Sequence, residues 1–184
     1  MRDSEHHAPC SGRESFIRRA MDLHGDAVYL VALSQTRSQI DAQDVSQDVF
    51  LRLLTSKTEF ADEEHLRAWL LRVTINRCHE LYRSPWHKRI APSDEMIAAI
   101  PSTDLDPAEA AVSALEQNPV WAALKALPEK LRVVALLHYV EEYPTETIAA
   151  IVGCPPATVR TRLHRARLQM KRYLESMGME GNNE

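Results

Sequence analysis

From Arg160 to Arg172 the chain carries Arg160, Arg162, Arg165, Arg167, Lys171 and Arg172 with no acid among them, a density of fixed positive charge suited to phosphate. Set at about 100° per residue, Val159, Leu163, Ala166, Met170 and Leu174 fall on one side of a helix. Ala157, Arg160, Thr161, His164, Arg167 and Lys171 fall largely on the other. One side packs and the other meets a partner. Upstream, Thr147 to Val152 reads as a short helix in which Ile148 and Val152 are four apart and small Ala149 permits close helix approach. Gly153 then supplies a sharp turn that can take a positive φ. Ala149, Gly153 and Val159 are the contact residue, the turn and the branched wedge of a helix-turn-helix, whose second helix would enter the major groove. A plain amphipathic hairpin with a solvated basic face has the same Ala/Gly/Val pattern; the unopposed bases favour DNA.

A second basic set lies nearer the N-terminus. Arg67, Arg72, Arg77, Arg83, Lys88 and Arg89 are interleaved with Trp69, Tyr82 and Trp86, the combination of phosphate pairing and base stacking that single-stranded nucleic acid calls for. Trp69 is read as core, Tyr82 and Trp86 as open cases. Catalytic chemistry finds no such support. Among 8 histidines there is no HExxH, and His79-Glu80 lacks a second histidine. No nucleophile is paired with a base. No enzyme, metal or cofactor is expected. Cys10, Cys78 and Cys154 are widely spaced without a CxxC, which argues against a disulfide framework or zinc finger and for a reducing compartment. Cys78 has Arg77 and His79 as neighbours, but adjacent helical side chains diverge by about 100°, so an activated thiol is not expected. His6, His7 and Cys10 read as part of a frayed tail.

The elements that position these groups are helical throughout. The 184 residues are 45% hydrophobic with 5 glycines, long stretches have a period of 3.6, and no strand pattern competes. One helix is expected from Glu14 to Leu33 through Phe16, Ile17, Ala20, Leu23, Ala27, Leu30 and Val31, with Gly25 a candidate break. A second covers DAQDVSQDVFLRLL, Asp41 to Leu54, with Asp41 as N-cap and Asp44 at N3. Its inner residues are Val45, Val49 and Leu53 with Phe50 and Leu54 beside them, which leaves Asp44, Gln47, Asp48 and Arg52 for water or a partner. After a polar loop from Thr55 to Glu64, a long helix has Leu66, Trp69, Leu70, Val73 and Arg77 or Cys78 on its inner side and ends at Pro85. Val120 to Leu127, Glu129 to Tyr139 and the helix-turn-helix complete a four-helix unit. From Pro92 to Pro119 the charges are Asp94, Glu95, Asp104, Asp106, Glu109 and Glu116, with no Lys or Arg. The expected organisation is all-α: a disordered tail over 1–13, a helical domain over 14–90, an acidic linker over 91–115, a second helical domain over 116–176 and a tail over 177–184. The net charge is −4, so the chain alone should hold duplex weakly and need a second protein to reach DNA. No apolar run is long enough for a membrane span and no signal peptide is seen, so a cytoplasmic location is expected.

These parts resemble the extracytoplasmic-function group of bacterial RNA polymerase sigma factors. LPEKLRVVALLHYVEE followed by TIAAIVGCPPATVRTRLHRAR is similar to the family's fourth conserved region, and DAQDVSQDVFLRLL with LRAWLLRVTINRCHELYR resembles its second. Together they cover about 15 to 175, in the expected order. The resemblance implies a promoter-recognition subunit. Asp44, Gln47, Asp48 and Arg52 would dock on the clamp helices of core polymerase. The loop Thr58 to His65, with Arg72, Asn76, Arg77, His79, Tyr82 and Arg83 on the following helix, would open the −10 element and hold a flipped base. Ala157, Thr158, Arg160, Thr161, His164, Arg165 and Arg167 would face the −35 duplex. Promoter DNA, core polymerase and an anti-sigma factor are the implied partners. The chain departs from the family where Pro144 and Pro155-Pro156 replace the usual Ser or Thr at the helix starts, where Thr147 stands for a capping glutamate, and where Glu80 replaces an Asp. A stand-alone helix-turn-helix regulator is the alternative, though it leaves the segment from Asp41 to Arg89 without a role.

Overall fold

The computed structural model describes residues 10–83 and 117–178. Among them the regular elements are all helices: α1 (Cys10–Thr36), α2 (Gln39–Thr55), α3 (Glu63–Arg83), α4 (Pro119–Ala126), α5 (Glu129–Tyr139), α6 (Thr145–Val152) and α7 (Pro156–Ser176). The all-α expectation holds. The chain divides into two compact units after Cys78, inside α3. His6, His7, Pro85, Trp86, Lys88, Arg89 and the acidic stretch over 91–115 lie outside the described residues.

In the first unit α1 packs against α2. It runs unbroken through Gly25: a helical glycine costs about 1 kcal/mol, and burying Val28 and Val31 completely returns about 1.5 kcal/mol or more apiece. The buried row differs from the expected one. Ala20, His24, Val28 and Val31 face inward, whereas Leu23 is 55% exposed. A polar residue can occupy that row because the His24 ring lies against Glu63, Nε2 to Oε1 2.5 Å. The helix also starts at Cys10, within the segment expected to be a disordered tail. There Arg13 donates from Nε to the Leu54 carbonyl at 2.7 Å and from Nη2 to the carbonyls of Leu53 and Ser56, closing the end of α2, where the Leu53 carbonyl also accepts the Ser56 N–H at 3.2 Å and the last carbonyls have no donor one turn on.

Two caps correct the sequence reading. The N-cap of α2 is Ser38, whose hydroxyl accepts the Asp41 N–H at 3.3 Å, so Asp41 lies inside the first turn, where its carboxylate meets the helix dipole. The helix begins early because fully buried Ala42 extends the Val45 and Val49 row back by a turn. Ahead of Ser38, Arg37 takes φ 58° and its N–H bonds the Leu33 carbonyl at 2.9 Å, a left-handed helix ending made without glycine. In α3 the buried residues are Leu66, Leu70, Leu71, Thr74, Ile75 and Cys78, and Trp69 and Val73 are only half-buried. Thr74 joins the core without loss because its hydroxyl donates to the Leu70 carbonyl at 2.8 Å.

The second unit is built around α5, whose residues from Leu131 to Leu137 are all buried. Arg132 sits among them and donates from Nε and Nη2 to the Leu127 carbonyl at 3.2 and 3.0 Å, holding the end of α4. Asn118 caps α4 through its side-chain oxygen, 2.9 Å from the Val120 nitrogen, with Pro119 in the first turn. Against this platform α7 contacts α4, α5 and α6.

Candidate nucleic-acid interface

The turn between α6 and α7 is set by a single glycine. Gly153 ends α6 at φ 66°, ψ 42°, a left-handed conformation that costs an L-residue roughly 1–2 kcal/mol. A Cβ there would meet nothing within 4 Å, so the backbone angle and not the space requires glycine. Beyond the turn Val159 is 0% exposed and Ala149 nearly buried, with Ala166 continuing the inner row. The opposite side carries Ala157, Arg160, Thr161, His164, Arg165 and Arg167, all exposed, with Thr158 at its margin. The structure thus brings the whole C-terminal candidate set onto one outward surface. Thr161 donates its hydroxyl to the Ala157 carbonyl at 3.0 Å, leaving its oxygen able to accept. Glu146 from α6 lies 3.8 Å from Arg160, an exposed and weak pair. The prolines at the helix starts make no side-chain cap. The Pro155 carbonyl instead accepts from Thr158 and Val159 at 2.9 and 3.2 Å.

The N-terminal candidates separate into three groups. Arg72, Asn76, His79 and Arg83, spaced 4, 3 and 4, form one exposed row along α3 opposite its buried face. Tyr82 is also exposed but lies to one side of that row. Arg77 lies on the other flank, against the core, where its Nε is 2.5 Å from Asp48 Oδ2 of α2. It is therefore not part of the row. Asp48 is drawn to the same flank with Arg52, 3.2 Å away, so these two also leave the outer face of α2. That face is instead Ile40, Asp44, Gln47, Leu51 and Leu54, spaced 4, 3, 4 and 3. Ile40, Leu51 and Leu54 are 65%, 60% and 41% exposed. The sequence reading missed Ile40 and Leu51 and placed Leu54 in the core. The signal that could have found them is the heptad-like row itself.

The Asp48 and Arg77 pair leads to an expected result. Asp48→Ala and Arg77→Ala should each destabilise the first unit by about 1 kcal/mol, and the double variant by little more, since the pair is half-buried. Urea titrations of the four chains measure the coupling. Additive losses would mean the pair contributes nothing.

Between α2 and α3 the loop is held by side chains. Ser56 Oγ lies 2.9 Å from Thr58 Oγ1 and accepts from the Thr58 N–H at 3.0 Å. Asp62 caps α3, its Oδ1 2.7 Å from the His65 nitrogen, and His65 Nδ1 accepts from the Ala61 N–H at 3.3 Å. Phe60 sits at the centre, with ring centroids 5.5 Å from Trp69, 5.6 Å from His65 and 6.3 Å from Phe16. Residues 57–59 and 61–65 are exposed around it. Cys78 is buried in the core of α3. No group of three or more His, Cys, Asp or Glu able to hold a metal occurs among the described residues, and none of the described helices is long and apolar enough to cross a membrane.

Both surfaces fall within known sequence families. Residues 20–88 match the family described as Sigma-70 region 2, and residues 117–170 match Sigma-70, region 4. The chain is 30% identical over 157 residues to the ECF RNA polymerase sigma factor SigE of Mycolicibacterium smegmatis, covering 85% of this chain and 61% of that longer relative. It is 31% identical over 155 residues to the RNA polymerase sigma-E factor of Streptomyces avermitilis, covering 84% of this chain and 83% of the relative. Its fold is similar to that in a co-crystal structure of the sigma factor RpoE with the anti-sigma factor NepR from Bartonella quintana, at TM-score 0.65 and 24% identity, over 86% of this chain and 96% of that one. Region 2 carries the row on α3 and the outer face of α2, region 4 carries the basic side of α7, and with relatives matched across both regions the chain belongs to the extracytoplasmic-function family of RNA polymerase sigma factors.

Proposed function

We propose that this chain directs core RNA polymerase to promoters and helps to melt them, acting in the cytoplasm as a binding subunit with no catalytic residue of its own. The observation that carries the reading is the outward basic side of α7 behind the left-handed Gly153 turn, a surface shaped to lie in a major groove. Ala157, Thr158, Arg160, Thr161, His164, Arg165 and Arg167 face the −35 duplex. Arg72, Asn76, His79 and Arg83, with Tyr82 beside them, track the −10 strand once it opens, Asn76 reading a base edge and Tyr82 stacking. Arg77 acts through Asp48 and serves to hold α2 on α3. The outer face of α2, with Asp44 and Gln47 between Ile40, Leu51 and Leu54, docks on core polymerase. Asp48 and Arg52 form the polar rim of that contact. A reversible inhibitor, an anti-sigma factor, covers these same faces when the chain is idle.

The test is co-elution of the chain with bacterial core polymerase and initiation of a defined transcript from the DNA upstream of its own gene. Both together are the expected result. Neither, with the chain alone shifting duplex DNA, would make it a stand-alone regulator. Within the −35 contact, Arg165→Ala is expected to lower transcription from the cognate promoter about tenfold, in the range a bidentate base or phosphate contact supports, with core binding unchanged. A promoter series with −35 substitutions measures it, and an undiminished yield would remove Arg165 from the interface.

A further inference from the structure

We infer that α1 is a splint for the loop between α2 and α3, and through it a positioning element for reading the −10 strand; this rests on the role proposed above for that loop. The observations concern one row of α1. Arg13, Phe16, Ala20 and His24 are spaced 3, 4 and 4, so they share a face of the helix, and they meet the loop in chain order. At its entry Arg13 donates to the Ser56 carbonyl as well as to those of Leu53 and Leu54. At its middle the Phe16 ring stacks on Phe60, 6.3 Å apart and 23° from parallel. At its exit His24 Nε2 lies 2.5 Å from Glu63 Oε1, and Arg19 Nη2 lies 3.6 Å from Glu63 Oε2. Ala20, 1% exposed, lets the row approach closely.

The composition of this row supports a positioning role over a packing one. A row chosen only to cover α2 would use Ile17, Met21 or Leu23. Met21 and Leu23 instead face outward at 49% and 55% exposure, while His24 is 5% exposed. Arg13 and His24 of the row, with Arg19 beside it, grip the backbone and ends of the loop, while the loop's own side chains bond locally, Ser56 with Thr58 and His65 with Ala61 and Asp62. A flipped base can be told from its rivals only if the groups that meet it are fixed before it arrives, since ordering them on binding would be charged equally to every base. The splint supplies that order without touching DNA.

The experiment uses the full chain with Arg13→Ala and Phe16→Ala combined, and Arg13→Lys with Phe16→Tyr as the conservative pair. Hydrogen exchange of the free chain is expected to quicken about tenfold at residues 57–62 while residues 45–50 stay as they were. In the polymerase complex, discrimination between the cognate −10 element and single-base variants is expected to fall about tenfold, with core affinity unchanged. The conservative pair should restore both. Unchanged exchange overturns the splint whatever the chain does in transcription. Faster exchange with discrimination retained, or an equal loss from all promoters, reduces α1 to a structural support and overturns the inference. Failure of the unsubstituted chain to initiate from any promoter overturns the proposed function and this inference with it.

Discussion

Leu51→Asp is expected to abolish recruitment of the chain to core polymerase and leave its fold intact. Leu51 is 60% exposed at the middle of the outer row of α2, between Gln47 and Leu54. In the free chain an aspartate there is solvated, so stability should change by no more than about 0.5 kcal/mol. In the docked state it would replace an apolar anchor with a carboxylate that has lost its water. A central anchor is worth about 2 kcal/mol or more, and with the added desolvation the affinity for core should fall about a hundredfold or beyond. Titration of labelled chain into core polymerase reads the affinity, and a thermal melt of the same sample reads the fold. Asp44→Ala, on the same row but polar, should cost less than Leu51→Asp. Affinity within about threefold of the unsubstituted chain would move the docking surface off this face.

Val159→Asp should unfold the second unit and leave the first standing. Val159 has no exposed surface and wedges α7 against its neighbours. Replacing it removes the burial of a branched side chain and places a carboxylate where no solvent reaches, a combined cost of about 4 kcal/mol. A helical unit of this size has little stability beyond that to lose. Calorimetry should show the transition of the second unit lost while that of the first persists, and binding to −35 duplex should vanish with it. Val159→Ala, costing about 2 kcal/mol, should leave a folded but weaker unit. A single melt superimposable on that of the unsubstituted chain would mean that Val159 is not the wedge of this turn.

The helix-turn-helix was legible because nearly everything it needs is local. Gly153 announces the left-handed turn, the Val159 and Ala166 row announces the inner side of α7, and the unopposed bases announce the outer side. The resulting surface contains every residue expected there. The region 2 surface was harder to read. In α3 Leu66 and Leu70 can continue either to Trp69 and Val73 or to Leu71, Thr74, Ile75 and Cys78, and the burial of Thr74 goes with its bond to the Leu70 carbonyl, which composition does not show. In α2, Leu51 and Leu54 belong to the run VFLRLL, where five of six residues are apolar and periodicity alone cannot say which of them face out. Ser38 and Arg37 end one helix and begin the next without the glycine that a sequence reading looks for.

By itself the sequence determined the all-α class, the order of the helices, the glycine turn at Gly153 and the family to which it is similar, because each depends on periodicity and on neighbours a few residues apart. Only the tertiary structure decided that Arg77 pairs with Asp48, that His24 is buried against Glu63, that Arg13 closes the end of α2 and that Leu51 and Leu54 face outward. Helical period fixes the angle of a side chain about its own axis. What lies at that angle is set by another helix, dozens of residues away, once the chain has packed.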